Sequence, residues 1–258
     1  MYKILQKTKL CKYHIVAQIL SFCIYPTACF CAATTWQVLS KGIQYQDINQ
    51  SKAFIVTPWS HIHIFKIDLK YNQLDLMMAS ELHKSLASAE EFAQHSSALI
   101  AINGGFFDAH NQPLGLRRRN HINLHASKKI SWWGFFYLKD KKPFITNLQH
   151  ISDINTSDIA IQAGPRLIIN GHIPHLKPGY ADRTAIGVTA AGKIILLVTE
   201  NAHLTTTDLA NILLAPLLNC INAINLDGGK SSQLYANIGT LHIFHSGFAQ
   251  VSDAIIIR

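Results

Sequence analysis

Two apolar runs in this chain end the same way, and that ending limits what the chain can fold into. "ALIAI" (98–102) runs into Asn103-Gly104-Gly105, and "INAINL" (221–226) runs into Asp227-Gly228-Gly229. A helical signal precedes each run: Ser88–His95 before the first, Thr207–Leu218 before the second. In the second, Thr and Asp open the first turn and apolar residues recur at helical spacing. Pro216 should end or kink that helix. A buried strand that stops at a polar residue and two glycines sets that residue at a sheet edge, beside a tight turn. Paired glycines permit positive φ and close approach of the backbone, and their amides can form an anion-binding concavity. Either unit alone is ordinary turn chemistry. Two of them suggest an internal pseudo-repeat around one cleft.

Strand signals dominate the rest. "HIHIFKIDL" (61–69) alternates with period two, and "LDLMMA" (74–79), "SWWGFFYL" (131–138), "AIGVTA" (185–190), "KIILLVTE" (193–200) and "DAIIIR" (253–258) are further strands. "AAGK" (190–193) reads as a hairpin turn. Trp132-Trp133 and Phe135-Phe136 should place one face of their strand in the core, leaving outward residues as a possible sugar platform. No linker interrupts residues 34–258, which read as one α+β domain with a largely β core.

The stretch Gly228-Gly229-Lys230-Ser231 has the look of a phosphate-binding loop but fails its spacing. That motif needs a glycine five positions before Gly229 and a helix after the serine. Ile224 occupies the first position, and Ser232-Gln233-Leu234-Tyr235 alternates like a strand.

Residues 1–33 read as a secretory signal peptide: Lys3, Lys7, Lys9 and Lys12, then an apolar stretch to Cys31, then Ala32 and Ala33. The apolar run is short for a membrane span. An uncleaved anchor and a lipid on Cys29 are the alternatives. The chain is expected to be exported, to a periplasm or beyond, with no stable membrane span once the leader is gone. Of five cysteines only Cys220 lies outside the leader, in an apolar run, where it reads as a small buried hydrophobe. The net charge is +8, and the four leader lysines supply half of it. The remaining excess favours an anionic ligand weakly. With no basic helix or RNA-binding aromatic motif, it does not point to nucleic acid.

Four stretches in order carry a resemblance: "AINGGFFD" (101–108), "AGPRLIINGH" (163–172), "DRTAIGV" (182–188) and "INAINLDGGKSS" (221–232). Together they resemble the phosphodiester glycosidase domain family, over roughly residues 50–258. That family includes the mammalian uncovering enzyme and bacterial exopolysaccharide-related members. The resemblance implies cleavage of a sugar–phosphate bond at the anomeric carbon, in a carbohydrate phosphodiester or anionic glycan. Phosphate is a good leaving group, so donors for the phosphate and one carboxylate facing the oxocarbenium-like carbon matter more than a second carboxylate. On this reading Asp227 is the nucleophile or base, Arg183 is a bidentate phosphate donor, and the Gly104, Gly105, Gly228 and Gly229 amides assist. Asn103, Ser231 and Ser232 would orient sugar hydroxyls or phosphate oxygens. The matched motifs add Phe106, Gly164, Arg166, Thr184 and Lys230 to the substrate-binding set. Two positions depart from the family pattern. Lys230 stands where a third Gly or a Pro is common, and Val188 follows Gly187 where the mammalian enzyme has a histidine.

Outside those motifs, Glu200 is a candidate second carboxylate or a solvated strand end. Arg117-Arg118-Arg119 is a solvated loop or a basic lip led by Arg117 or Arg119. His61 and His63 share a strand face, and His121/His125 and His172/His175 are spaced four and three apart. None forms a zinc-type grouping, and no cofactor is expected. A calcium site leaves little sequence trace outside the EF-hand loop and stays open. Ser231 and Ser232 lie outside any Gly-x-Ser-x-Gly elbow. Two other readings remain: a non-catalytic binder of anionic polysaccharide, and a metal-dependent phosphodiesterase.

Overall fold

The computed structural model describes residues 36–48 and 59–258; the leader, with Cys29, lies outside them. Three antiparallel sheets surround one core. The first runs β1 (Gln37–Ser40), β2 (Ile43–Asp47), β3 (His61–Ile67), β13 (Ile194–Glu200), β12 (Thr184–Thr189), β14 (Cys220–Asn225) and β11 (Arg166–Ile168). The second runs β7 (Ile122–His125), β6 (Arg117–Arg119), β10 (Ile159–Ala163), β8 (Gly134–Lys139) and β9 (Lys142–Thr146). The third runs β16 (Leu241–His245), β15 (Leu234–Ile238), β5 (Ile100–Asn103), β17 (Asp253–Ile257) and β4 (Leu74–Met78).

The inner faces meet in a shared cluster that includes Phe65, Leu196 and Ile224 from the first sheet, Phe136 and Ile161 from the second, and Leu76, Ile102 and Ile255 from the third. Each outer face has its own helical cover. Leu209 and Leu213 of α3 (Thr206–Leu214) pack with Ile195 and Leu197. Phe92 and Ala93 of α1 (Ala89–Ser96) pack with Ala101 and Ile256. Ile154 of α2 (Ile151–Asn155) packs with Phe135 and Tyr137. Strands covered on both faces must be apolar at both parities, which is why "IILLV" shows no alternation. Each such Leu, Ile or Phe contributes about 1.5–3 kcal/mol when fully buried.

Local signals set the helix ends. Ser88 caps α1 by accepting from the Glu91 amide, and Thr205 caps α3 by accepting from the Asp208 amide. α3 stops at Leu214, and Ala215 is extended, as the residue before Pro216 must be. The turn at 190–193 forms, with the Thr189 amide donating to the Lys193 carbonyl at 2.9 Å.

Two expectations are corrected by burial. Phe135 and Phe136 are both fully buried, so β8 carries core on both faces, while Trp132 stays exposed. His61 and His63 share one face of β3, as expected, and it is the face of Phe65 and Ile67, which points into the central core. The triple arginine is neither a solvated loop nor a basic lip. It forms β6, paired with β10, and its side chains point at internal acceptors. Arg118 donates to the Ser157 and Asn155 carbonyls, and Arg119 pairs with Asp75 and Glu81.

Candidate active site

The inward-facing positions turn polar together at one end of the central core. His63 sits beyond Phe65 on β3, Thr184 before Ile186 on β12, Glu200 beyond Val198 on β13, and His245 beyond Ile243 on β16. The two Gly-Gly turns also close on each other. The Asn103 side chain donates from Nδ2 to the Asp227 carbonyl at 2.8 Å, and the Asp227 amide donates to the Gly104 carbonyl at 3.1 Å. The pseudo-repeat therefore ends in a direct clasp between the first and third sheets.

Asn103 is wholly buried and its hydrogen-bonding capacity is consumed. Besides the Asp227 carbonyl, Nδ2 reaches the Gly104 carbonyl at 3.3 Å. Oδ1 accepts from Thr184 Oγ1 at 2.7 Å and from the Gln233 amide at 3.1 Å. The expected contact with sugar hydroxyls is replaced by a positioning role. Thr184 and Ser232 belong to the same buried network, with their hydroxyls 3.3 Å apart.

The glycine amides likewise differ from the expected anion cradle, because all four are already bonded. Gly104 donates to the Asp253 carbonyl at 2.9 Å and Gly105 to Asp253 Oδ1 at 3.0 Å. Gly228 donates to Asp227 Oδ1 at 2.9 Å and Gly229 to the Asp182 carbonyl at 2.7 Å. Glycine is required at the first pair for closeness: a β-carbon at Gly104 would overlap the Asp253 carboxylate, and one at Gly105 the Arg117 guanidinium. Arg117 and Asp253 form a fully buried ion pair at 2.9 Å beneath this turn. Arg117 also donates to the Phe106, Leu114 and Gln162 carbonyls. It holds the turn from inside and has no exposed surface to offer a ligand.

The two candidate phosphate-binding arginines have different surroundings. Arg183 donates from Nε to the Leu204 carbonyl at 2.8 Å and from Nη2 to the Gly179 carbonyl, tying two loops together. It does not pair with Asp182, whose Oδ1 accepts from Thr199 Oγ1 and the Ala202 amide. Arg166 is half-buried, and among the described residues no side chain or carbonyl pairs with its guanidinium. Burial lowers the pKa of both arginines, the signature of a cation short of compensating charge. The Arg166 side chain packs against Gly134, and Gly164 packs against the ring of Trp133, which stacks on Phe106 at 5.2 Å. Among the described residues, the Trp133 indole Nε1 is buried without a partner. The guanidinium with no protein partner among the described residues is thus that of Arg166, while Arg183 keeps only Nη1 unbonded.

Glu200 is held between two histidines: His63 Nε2 at 3.2 Å and His245 Nδ1 at 3.6 Å. Tyr45 extends the chain to His63 Nδ1 at 2.9 Å. The His63 hydrogen bond holds the Glu200 carboxyl below its ordinary range, and burial lowers His245. Asp227 moves the other way. Burial raises its pKa, opposed by hydrogen bonds from Ser231 and the Gly228 amide, with Asp253 adding to the rise. It stays partly exposed while its backbone is fixed by the clasp. Cys220 is buried against Gly187, its thiol pushed up to about 12, so it is no thiolate nucleophile.

Asp182, Gly229 and Lys230 line an open depression of about 630 Å³. A hollow of about 310 Å³ lined by Asp75, Leu138 and Ile159 contains none of the residues singled out in the sequence. Among the described residues, no three His, Cys, Asp or Glu side chains converge in metal-binding geometry.

A family model described as phosphodiester glycosidase matches residues 96–258. The chain belongs to the phosphodiester glycosidase family. Its fold is similar to the catalytic domain of zebrafish N-acetylglucosamine-1-phosphodiester alpha-N-acetylglucosaminidase, a structure described as auto-inhibited by its pro-peptide. The TM-score is 0.64 at 20% identity, over 87% of each chain. A hypothetical protein from Synechocystis gives 0.59 at 18% identity, over 84% of this chain and 62% of its own. Escherichia coli K12 YigE, an uncharacterized protein, is 30% identical over 133 residues, which are 47% of this chain. The match spans about half of that relative's length, 51%.

Asp253, Asp182, His63, His245 and the Trp133 indole escaped the sequence reading as site residues. For His63 and His245 a signal existed: each is the polar residue at the inward parity of an otherwise apolar strand end. Asp253 opens "DAIIIR" at the strand boundary, where a carboxylate reads as solvated until the Arg117 pairing is known.

Proposed function

We propose that this chain is an exported glycosidase that hydrolyses a sugar 1-phosphodiester in a surface or extracellular glycan by cleaving the glycosidic C–O bond. Family membership supports the reaction class. The observation that carries the residue assignment is Asp227: a partly exposed carboxylate with a raised pKa, fixed by the clasp. A raised pKa makes the carboxylate a better proton acceptor near neutral pH than an ordinary aspartate. In the step proposed, a water oxygen bonds to the anomeric carbon and Asp227 takes the water proton. The C–O bond breaks with its electron pair going to the phosphate oxygen. The products are a free sugar and a phosphomonoester, and Arg166 offsets the charge on that phosphate. Attack by Asp227 itself, followed by hydrolysis of the glycosyl ester, gives the same products.

The test is hydrolysis of an N-acetylglucosamine 1-phosphodiester in heavy-oxygen water. The expected result is label on the sugar. Label on the phosphomonoester, with activity lost to a chelator, would replace this reading with metal-dependent phosphodiesterase chemistry. Absence of turnover alongside tight glycan binding would replace it with a binding protein.

A further inference from the structure

Arg183 binds the Gly179 and Leu204 carbonyls instead of facing the Gly-Gly turns, and those two loops carry Tyr180 and His203. The same loops are joined by the backbone bridge between Ala181 and Leu204. On the other side, the Phe248 and Ala249 amides both donate to the Lys230 carbonyl, at 2.8 and 3.0 Å. Gly247 lets that loop sit down on the Ser232 carbonyl. The depression of about 630 Å³ between these loops is thus bounded by two aromatic rings on fastened backbone. Tyr180 is 76% exposed and Phe248 79%. Lys230 is exposed with no side-chain partner among the described residues, and His203 stands 3.7 Å from Asp182. The Asp182 carboxylate is buried, with Oδ1 accepting from Thr199 Oγ1 and the Ala202 amide and Oδ2 facing His203, so the exposed charge of the depression is that of Lys230.

We propose that this depression is a binding subsite for an anionic glycan chain, set beside the turn that carries Asp227, since Gly229 and Lys230 of that turn line it. The proposal rests on the glycosidase reading and adds to it that the substrate is a polymer carrying phosphate along its length. Tyr180 and Phe248 present flat faces for the C–H faces of pyranose rings. Lys230 meets a backbone phosphate as a point charge, and this gives a reason for a lysine at this turn. Arg183 is a positioning residue that holds the Tyr180 and His203 walls together. One free lysine is too little positive charge for a nucleic-acid tract, which needs several phosphate contacts.

The experiment is calorimetric titration of the full chain carrying Asp227→Asn, so that binding is read without turnover. The probe is a hexamer of N-acetylglucosamine 1-phosphate repeats, set beside the neutral N-acetylglucosamine hexamer and a single-stranded hexanucleotide. The expected result is preference for the phosphate-bearing hexamer. Phe248→Ala or Tyr180→Ala should weaken it about tenfold, and Lys230→Gly should flatten its salt dependence. These side chains are exposed, so the variants should melt with the parent protein. Equal binding in all three variants would overturn the subsite, as would equal affinity for the neutral hexamer or tighter binding of the oligonucleotide. Loss of sugar release in the wild-type protein with the binding pattern intact would contradict the glycosidase reading and leave the subsite standing.

Discussion

The turns at Asn103-Gly104-Gly105 and Asp227-Gly228-Gly229 follow the same helix–strand grammar and are bonded to each other, yet they do different work. The first is buried. Its carboxamide is saturated, its amides are held by Asp253, and Arg117 fills the space beneath it. The second keeps its own amides satisfied but leaves a carboxylate partly exposed and Lys230 in solvent. On the proposed reading, a carboxylate in place of a carboxamide makes the second turn the chemical one. The first turn holds it still: Asn103 fixes the Asp227 carbonyl.

The largest effect expected from breaking the first turn comes from its ion pair. Arg117→Met should leave Asp253 buried and uncompensated and cost about 3–5 kcal/mol in urea unfolding. A loss under about 1 kcal/mol, within the range of an exposed pair, would mean the first turn is not stapled as described. Asn103→Ala should come next. It strands buried donors and acceptors at about 1–3 kcal/mol, and thermal unfolding should show it. Turnover should fall as well, because the Asp227 backbone loses its anchor.

The second turn is sharpened by comparing its two arginines. Arg166→Gln should raise KM about tenfold, the scale of a hydrogen bond to a charged group, with a smaller change in melting. Arg183→Gln should do the reverse: it frees two loop carbonyls and should lower the melting midpoint more than it weakens binding of a small diester. Equal KM effects from both would erase the distinction.

The smallest expected effect is on stability and pH. Asp227 has a folded pKa above its unfolded value, so folding favours the protonated form. Its contribution is favourable at pH below the unfolded value and is lost as pH rises through the folded one. At pH 7 the carboxylate is a net cost to the fold, and Asp227→Asn should raise the melting midpoint slightly at pH 7 and not at pH 3. As a base, Asp227 must be ionised. The acid limb of kcat/KM should therefore fall above the ordinary aspartate range of about 3.9, and pH–rate profiles check this.

Much of this was legible in the sequence, and the omissions have physical causes. The apolar runs that became β4, β5, β12, β13, β14 and β17 were readable because strands buried on both faces are nearly continuous in Val, Ile and Leu. The strands that escaped notice include the interior β10, whose five residues follow the short α2, and the edge and hairpin strands β6, β7 and β9. β6–β7 and β8–β9 are joined by Asn120-His121 and Asp140-Lys141, all four at positive φ. These tight two-residue turns lack the glycine that usually reveals them. The Gly-Gly turns were found by their spelling, but spelling does not say whether an amide faces a ligand or a neighbouring carbonyl. Here all four face the protein. Arg183 and Arg166 show the same limit, since which guanidinium is free depends on loops far apart in sequence.

The central claim is that the carboxylate of the second turn is chemical and the carboxamide of the first is structural. The measurement that tests it most directly is turnover of an N-acetylglucosamine 1-phosphodiester by Asp227→Asn, whose side chain keeps the acceptor for the Gly228 amide. The account predicts a folded protein whose kcat falls about 10²–10⁴-fold, the range for loss of a general base. Wild-type turnover from a folded Asp227→Asn protein would contradict it.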